Sequence, residues 1–117
     1  MFRLLTVVAL ALLLTAYQAL ARTGEDLISN CSFAYPDVTD DPRGVYCLEY
    51  IIGFVDSMVL VKRTNGPGAA LFCLPDDFTV GKAVEAVMRY AEANADSKSE
   101  HISVFTTRSL RTAFPCP

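Results

Sequence analysis

Tryptophan is absent from the 117 residues, and histidine occurs once, as His101. A Cys–His or Ser–His–Asp nucleophile system would therefore have to be built on that residue. His101 falls at the polar edge of a helical pattern, where a solvated side chain is the plainer reading. The four cysteines include no Cys-x-x-Cys pair, which removes the usual spacing of zinc sites and of thioredoxin-like redox centres. Gly66 and Gly68 flank Pro67 and lead to no P-loop lysine, so no phosphate loop is present. Positive charge is scarce: 10 Lys+Arg stand against 13 Asp+Glu, a net charge of −3. That balance argues against a nucleic-acid-binding face. Asp76-Asp77 reads as acidic residues ahead of a helix start, and Arg108 with Arg111 as a solvated helix face. No catalytic residue, metal ligand or cofactor is assigned, which leaves a small acidic domain that is not an enzyme.

Apolar residues are spread unevenly. Residues 1–21 hold 17 of them and one charge, Arg3; the other 96 residues hold 44, an ordinary fraction for a globular domain. Met1-Phe2-Arg3 is a short basic start, Leu4 through Ala16 is almost purely aliphatic, and Ala19-Leu20-Ala21 supplies small residues for a signal peptidase. This predicts a cleaved signal peptide over 1–21 and a mature domain over 22–117. An uncleaved anchor is the competing reading, borderline in length for a bilayer and without a following Lys/Arg stop-transfer cluster. Cleavage would leave 9 basic and 13 acidic groups, a charge of −4, on a chain free of the membrane.

Export sets how the cysteines are read. Cys31, Cys47, Cys73 and Cys116 all lie in the mature part, an even number bound for an oxidising compartment. Two disulfides follow, and spacing alone permits three connectivities.

Helix placement narrows the choice. A short first helix fits Thr23 to about Asn30, with Glu25 and Asp26 in its opening turn. A second begins at Asp40 or Asp41 as cap with Pro42 at its first position, and runs through Val61. It is apolar nearly all round, so it is buried or covered by a second surface such as a dimer partner. Asp56, in the middle of that helix, is expected to tie down a neighbouring element. Asn65-Gly66-Pro67-Gly68 then breaks the chain. Thr79 caps a third helix, on which Val80, Ala83, Val84, Val87, Met88 and Ala91 form the cleanest amphipathic stripe in the sequence. Asn94 to Ser99 reads as loop. A fourth helix places Ile102, Phe105, Ser109, Leu110 and Ala113 on one face and ends at Phe114-Pro115-Cys116. The prediction is an all-α, disulfide-stapled four-helix bundle. Cys31 closes the first helix and Cys47 opens the second; Cys73 precedes the third and Cys116 follows the fourth. If the last two helices are antiparallel neighbours, Cys31–Cys47 and Cys73–Cys116 are the natural pairs.

Three segments carry a family resemblance. They are Tyr46 to Asp56 (YCLEYIIGFVD), then Phe72-Cys73-Leu74-Pro75 leading into Phe78 to Lys82, then Ala113-Phe114-Pro115-Cys116. In that order, behind an export signal, they resemble the Rap/Tai family of immunity proteins of the bacterial type VI secretion system. The resemblance covers residues 27–116. It implies a helical, disulfide-bonded, often dimeric protein of the Gram-negative periplasm. The implied partner is a peptidoglycan amidase effector, a papain-like Cys–His hydrolase whose active-site cleft the immunity protein occludes. The chain departs from the family at Glu49, Lys82, Asn94-Ala95-Asp96 and His101-Ile102, where a small residue, Gln, His-Pro-Glu and Pro-Ala are usual.

On this reading the partner-binding candidates are Asn94, Asp96, Lys98, Glu100 and His101 between the last two helices. Arg63 and Asn65 beside the Gly-Pro-Gly loop come second. Acidic loops suit a basic cleft rim and speed encounter. A solvated connector is the plainer alternative for both loops. The rival class is a small periplasmic helical chaperone or general protein-binding module, which the composition fits equally well.

Overall fold

A computed structural model describes the backbone of residues 1–19, 22–37 and 40–117. The predicted cleavage point after Ala21 and part of the loop before the second helix, Val38-Thr39, lie outside the described residues. The described residues form five α-helices: α1 Phe2–Ala19, α2 Gly24–Cys31, α3 Pro42–Asn65, α4 Val80–Ala93 and α5 Ile102–Ala113. Two short 3-10 helices, Pro67–Ala69 and Ala95–Ser99, interrupt the connectors. Among the described residues there is no strand, only one isolated antiparallel bridge between Thr23 and His101. The expected four-helix count holds for α2–α5 alone; α1, in the segment read as a signal, makes a fifth.

Helices α2 to α5 each start where a side chain satisfies a free N–H group. The Thr23 hydroxyl accepts from the Asp26 N–H while the Asp26 carboxylate accepts from the Thr23 N–H, a reciprocal capping box on α2. Asp41 caps α3 with Pro42 behind it, and Thr79 caps α4 by accepting from the Lys82 N–H. α3 runs four residues beyond the predicted Val61. Thr64 Oγ1 donates to the Leu60 carbonyl at 3.0 Å and Asn65 Nδ2 to the Val61 carbonyl at 3.2 Å, so both polar side chains turn back onto the last turns of the helix. The helix stops at Gly66, whose φ of +88° is left-handed backbone that favours glycine.

α2 packs on α3 and α5, and α4 on α3 and α5. Their shared interior holds Leu27, Ile51, Val84, Val87, Phe105 and Leu110, all essentially inaccessible. The Tyr90 and Phe105 rings meet edge-on at 5.5 Å. α4 buries Ala83, Val84, Val87 and Ala91 of its predicted stripe, adds Ala86, and leaves Val80 and Met88 half-buried. Ala113, expected on the buried face of α5, is exposed; Thr106 takes an inner place, its hydroxyl returned to the Ile102 carbonyl at 2.7 Å.

Both predicted disulfides form. Cys31–Cys47 joins α2 to α3 with a Cα–Cα distance of 5.0 Å and lies wholly inside the core. Cys73–Cys116 joins the chain ahead of α4 to the tail after α5, at 4.8 Å, with Cys116 exposed. The Cys73 N–H also donates to the Phe114 carbonyl at 2.9 Å, and Phe114 meets Phe78 edge-on. The ends of the α4–α5 pair are therefore held covalently, by a backbone bond and by ring packing.

Two glycines permit close approach. A Cβ on Gly24 would stand 2.6 Å from the Phe105 ring, and one on Gly44 would stand 2.6 Å from the Phe33 carbonyl oxygen. These are the contacts of α2 with α5 and of α3 with the loop before it.

α3 is covered on one side only. Gly44, Cys47, Ile51 and Val55 face the core, while Val45, Ile52, Val59 and Leu60 remain exposed. Asp56 is exposed too, with no hydrogen bond or ion pair among the described residues. The expected tie to a neighbouring element does not form: Asp56 borders a small cleft shared with Phe78 and Val80, apolar side chains that offer no donor, and the carboxylate is solvated.

Candidate functional site

The predicted partner-binding residues fall at two places. Asn94, Asp96, Lys98, Glu100 and His101 come together on the connector from α4 to α5. Arg63 and Asn65 lie at the far end of α3. The groups are not brought into one site by sequence neighbourhood.

The α4–α5 connector is a built structure rather than an open loop, because the 3-10 helix Ala95–Ser99 fills it. Asn94 closes α4, its side-chain amide donating to the Tyr90 carbonyl at 3.1 Å. Ser97 Oγ donates to the Asn94 carbonyl at 2.6 Å, and the Glu100 N–H to the Ser97 carbonyl at 3.0 Å. His101 then caps α5, its Nδ1 accepting from the Ser103 N–H. The same ring nitrogen lies 2.8 Å from Ser103 Oγ. Separated by two residues in an exposed helix start, the pair reads as a capping turn, without a third group to orient the ring as a nucleophile's base requires.

Two backbone bonds fix this connector to α2. The Gly24 N–H donates to the Glu100 carbonyl and the Ile102 N–H to the Arg22 carbonyl, each at 3.0 Å. Lys98 adds an ion pair to Glu25 at 3.8 Å. Arg108, on α5, pairs with Glu100 Oε1. Glu100 Oε2 is enclosed and takes no hydrogen bond.

Asp96 is exposed, at the first turn of the 3-10 helix, with no ion pair among the described residues. Around it lies a concavity of about 420 Å³ whose wall includes Tyr90, Asn94, Ser97, Glu100 and Arg108. Its free acceptors are carboxylate oxygens, which suit a cation or an N–H donor from a partner. Tyr90 was not singled out in the sequence. Arg108 looked like half of a solvated pair, and only the fold carries it back to Glu100.

At the other place, Arg63 lines an apolar groove between α3 and the chain from Pro67 to Leu74, and Asn65 does not. Asn65 instead bonds within its own helix end. Met58, Phe72 and Leu74 line the same groove. In the sequence Met58 belongs to the apolar run of the second helix, and Phe72 and Leu74 to a segment that carries the family resemblance.

All four cysteines are paired. Among the described residues no group of three His, Cys, Asp or Glu side chains is placed to hold a metal ion. Asp41 is the most displaced titratable group, lowered from 3.8 to about 2 by the Arg43 side chain and backbone N–H that donate to it. Lys82 lowers Asp77 in the same way, by hydrogen bonding first and by charge second. Both are acids serving helix starts, remote from the connector.

A helical frame locked by two disulfides holds a pinned polar connector and an open apolar groove. The family model of the Rap1a immunity proteins matches residues 23–116, nearly the whole span after α1. The chain belongs to that family. Comparison with curated proteins gave no match, and comparison with solved structures gave none. Membership supports an immunity role in which the protein binds a cognate type VI effector. Immunity proteins of this kind are generally non-enzymatic.

Proposed function

We propose that the protein is a periplasmic immunity protein that occludes the active-site cleft of a type VI peptidoglycan amidase effector. The α4–α5 connector is its blocking element. The observation that carries this reading is the rigidity of that connector: a 3-10 helix held by backbone bonds to α2 and by ion pairs at Lys98 and Glu100, presenting Asp96 outward. A preorganised loop enters a cleft with little ordering cost, as protease inhibitors do. Asp96 would meet basic or N–H groups on the cleft rim. The effector need not touch the other candidates: Asn94, Lys98 and His101 shape the connector through their own bonds.

Export supports the setting. The side chains of residues 1–12 are mostly aliphatic and exposed, Leu4 at 75% and Leu10 at 62%. That suits a segment handed to a membrane and removed rather than packed against the domain. The disulfides suit an oxidising compartment. A homodimer through the uncovered part of α3, around Val45 and Ile52, completes the reading.

The test is a titration of the oxidised protein against a panel of papain-like peptidoglycan amidases. Tight one-to-one binding with loss of amidase activity is expected. Asp96→Lys should weaken it by about tenfold to a hundredfold, as reversal of a buried interface charge does, with thermal stability unchanged. Weak binding to many unfolded clients, and to no folded amidase, would replace this reading with the chaperone class.

A further inference from the structure

A second cavity among the described residues lies away from the connector. It is a groove of about 480 Å³ beside the second half of α3. Val55, Met58 and Val59 form one wall, Phe72 and Leu74 the other, and Ala70 closes one side. Its walls are fixed. Phe72 is buried and stacks on Phe54 with ring centroids 6.4 Å apart. Its neighbour Cys73 is held by the disulfide and by the backbone bond to Phe114.

The only polar side chains on the groove are two cations, Lys62 and Arg63, both exposed at its outer end. Five of the ten Lys and Arg side chains are ion-paired among the described residues, and Arg3, Arg22 and Arg111, like these two, are not. Arg43, Lys82, Arg89, Lys98 and Arg108 each have a carboxylate partner. Neither Lys62 nor Arg63 has one among the described residues. An acidic protein has thus left two adjacent cations unpaired at the mouth of this apolar groove. They complement the C-terminal dipole of α3, and that role leaves their outward charge uncompensated.

The apolar surface does not stop at the rim. Leu60 and Leu71, 61% and 44% exposed, adjoin the lining residues Val59, Ala70 and Phe72 in the chain. A small amphiphile would fill the groove and leave these uncovered, whereas a polypeptide would cover them. Met, Phe and Arg are also the side chains enriched at the centres of protein interfaces.

We infer that this groove is a second docking surface, for an apolar segment of a partner polypeptide carrying a carboxylate. The inference goes beyond the immunity reading and does not depend on which effector is bound. Geometry sets the guest's pattern. Val55 and Lys62 are seven residues apart on one helix, roughly 10 Å at 1.5 Å per residue. An extended chain covers that distance in about three residues. The guest therefore places a large apolar side chain between Val55 and Phe72, and an Asp or Glu about three positions away, against Lys62 and Arg63.

The experiment is selection of a phage-displayed dodecapeptide library on the oxidised protein made from the full chain. Enriched peptides are then measured against variants. The expected peptides carry an aromatic or branched aliphatic residue about three positions from an acid. They should lose about tenfold or more in affinity on Lys62→Glu/Arg63→Glu and on Ala70→Trp, which fills the groove. They should bind Asp96→Lys unchanged. The charge variant alters only exposed side chains, so it keeps the test valid if Ala70→Trp fails to fold. Peptides without acids, or peptides indifferent to the charge variant, would overturn the inference. So would their displacement by dodecanoate at equal or better affinity, which would make the guest a small amphiphile. Failure of every amidase to bind, with these peptides still bound, would sink the immunity reading and leave this one standing.

Discussion

Gly24 and Gly44 are where single atoms decide the packing. A methyl group on Gly24 must displace the Phe105 ring at the centre of the core, and one on Gly44 must displace the Phe33 carbonyl. Gly24→Ala should therefore destabilise the fold by about 1–3 kcal/mol, the usual cost of overpacking, read as a lower midpoint in urea. Gly53→Ala, where a Cβ meets nothing within 4 Å, should be neutral or mildly stabilising. Asp41 makes a pH prediction. Its carboxyl is lowered to about 2 from 3.8 by Arg43, so it favours the folded state above the ordinary carboxylate range. That contribution fades as pH falls from 3.8 through about 2. The stability gap between the protein and Asp41→Asn should be constant near neutrality and close over that acidic window in thermal unfolding.

At the scale of elements, the two disulfides differ in exposure. Cys31–Cys47 is inaccessible, while Cys116 is open to solvent. Brief treatment with reductant should open Cys73–Cys116 first, seen as alkylation at those two positions. By chain entropy, loops of 16 and 43 residues are worth about 3 and 4 kcal/mol to the fold. Losing Cys73–Cys116 should therefore lower stability markedly while the buried bridge remains. Much of this level was legible in the sequence. Asp41-Pro42 and Thr79 are caps whose chemistry is local, and the α4 stripe repeats cleanly, so helix starts and the helices flanking each cysteine could be read directly. Cysteine pairing followed from which helix ends could meet. The covered side of α3 could not be read, because Val45, Ile52 and Val59 look as core-like as Ile51 and Val55. Only packing against α2 and α4 separates them. The Arg108–Glu100 pair and the backbone bridge from His101 to Thr23 were hidden for a related reason. Each joins residues that no local pattern connects.

For the whole molecule, the frame and the surfaces divide the work. Disulfides, capped helices and a small core fix the positions of a polar connector at one end of α4 and an apolar groove near the other. The connector's candidate residues were visible in the sequence as a polar stretch between helices, and the fold sorts them. Asn94, Lys98 and His101 are spent on holding the connector in shape, whereas Asp96 is free to meet a partner. Family membership supplies the immunity role, and the rigid, outward-facing connector is how this chain would perform it. The most direct measurement is protection from lysis in a Gram-negative host that exports papain-like peptidoglycan amidases to its periplasm. The account predicts survival when the full chain is co-expressed, lysis when residues 2–21 are deleted, and reduced protection by Asp96→Lys at equal protein level. Lysis by every amidase despite folded, oxidised protein in the periplasm would contradict it.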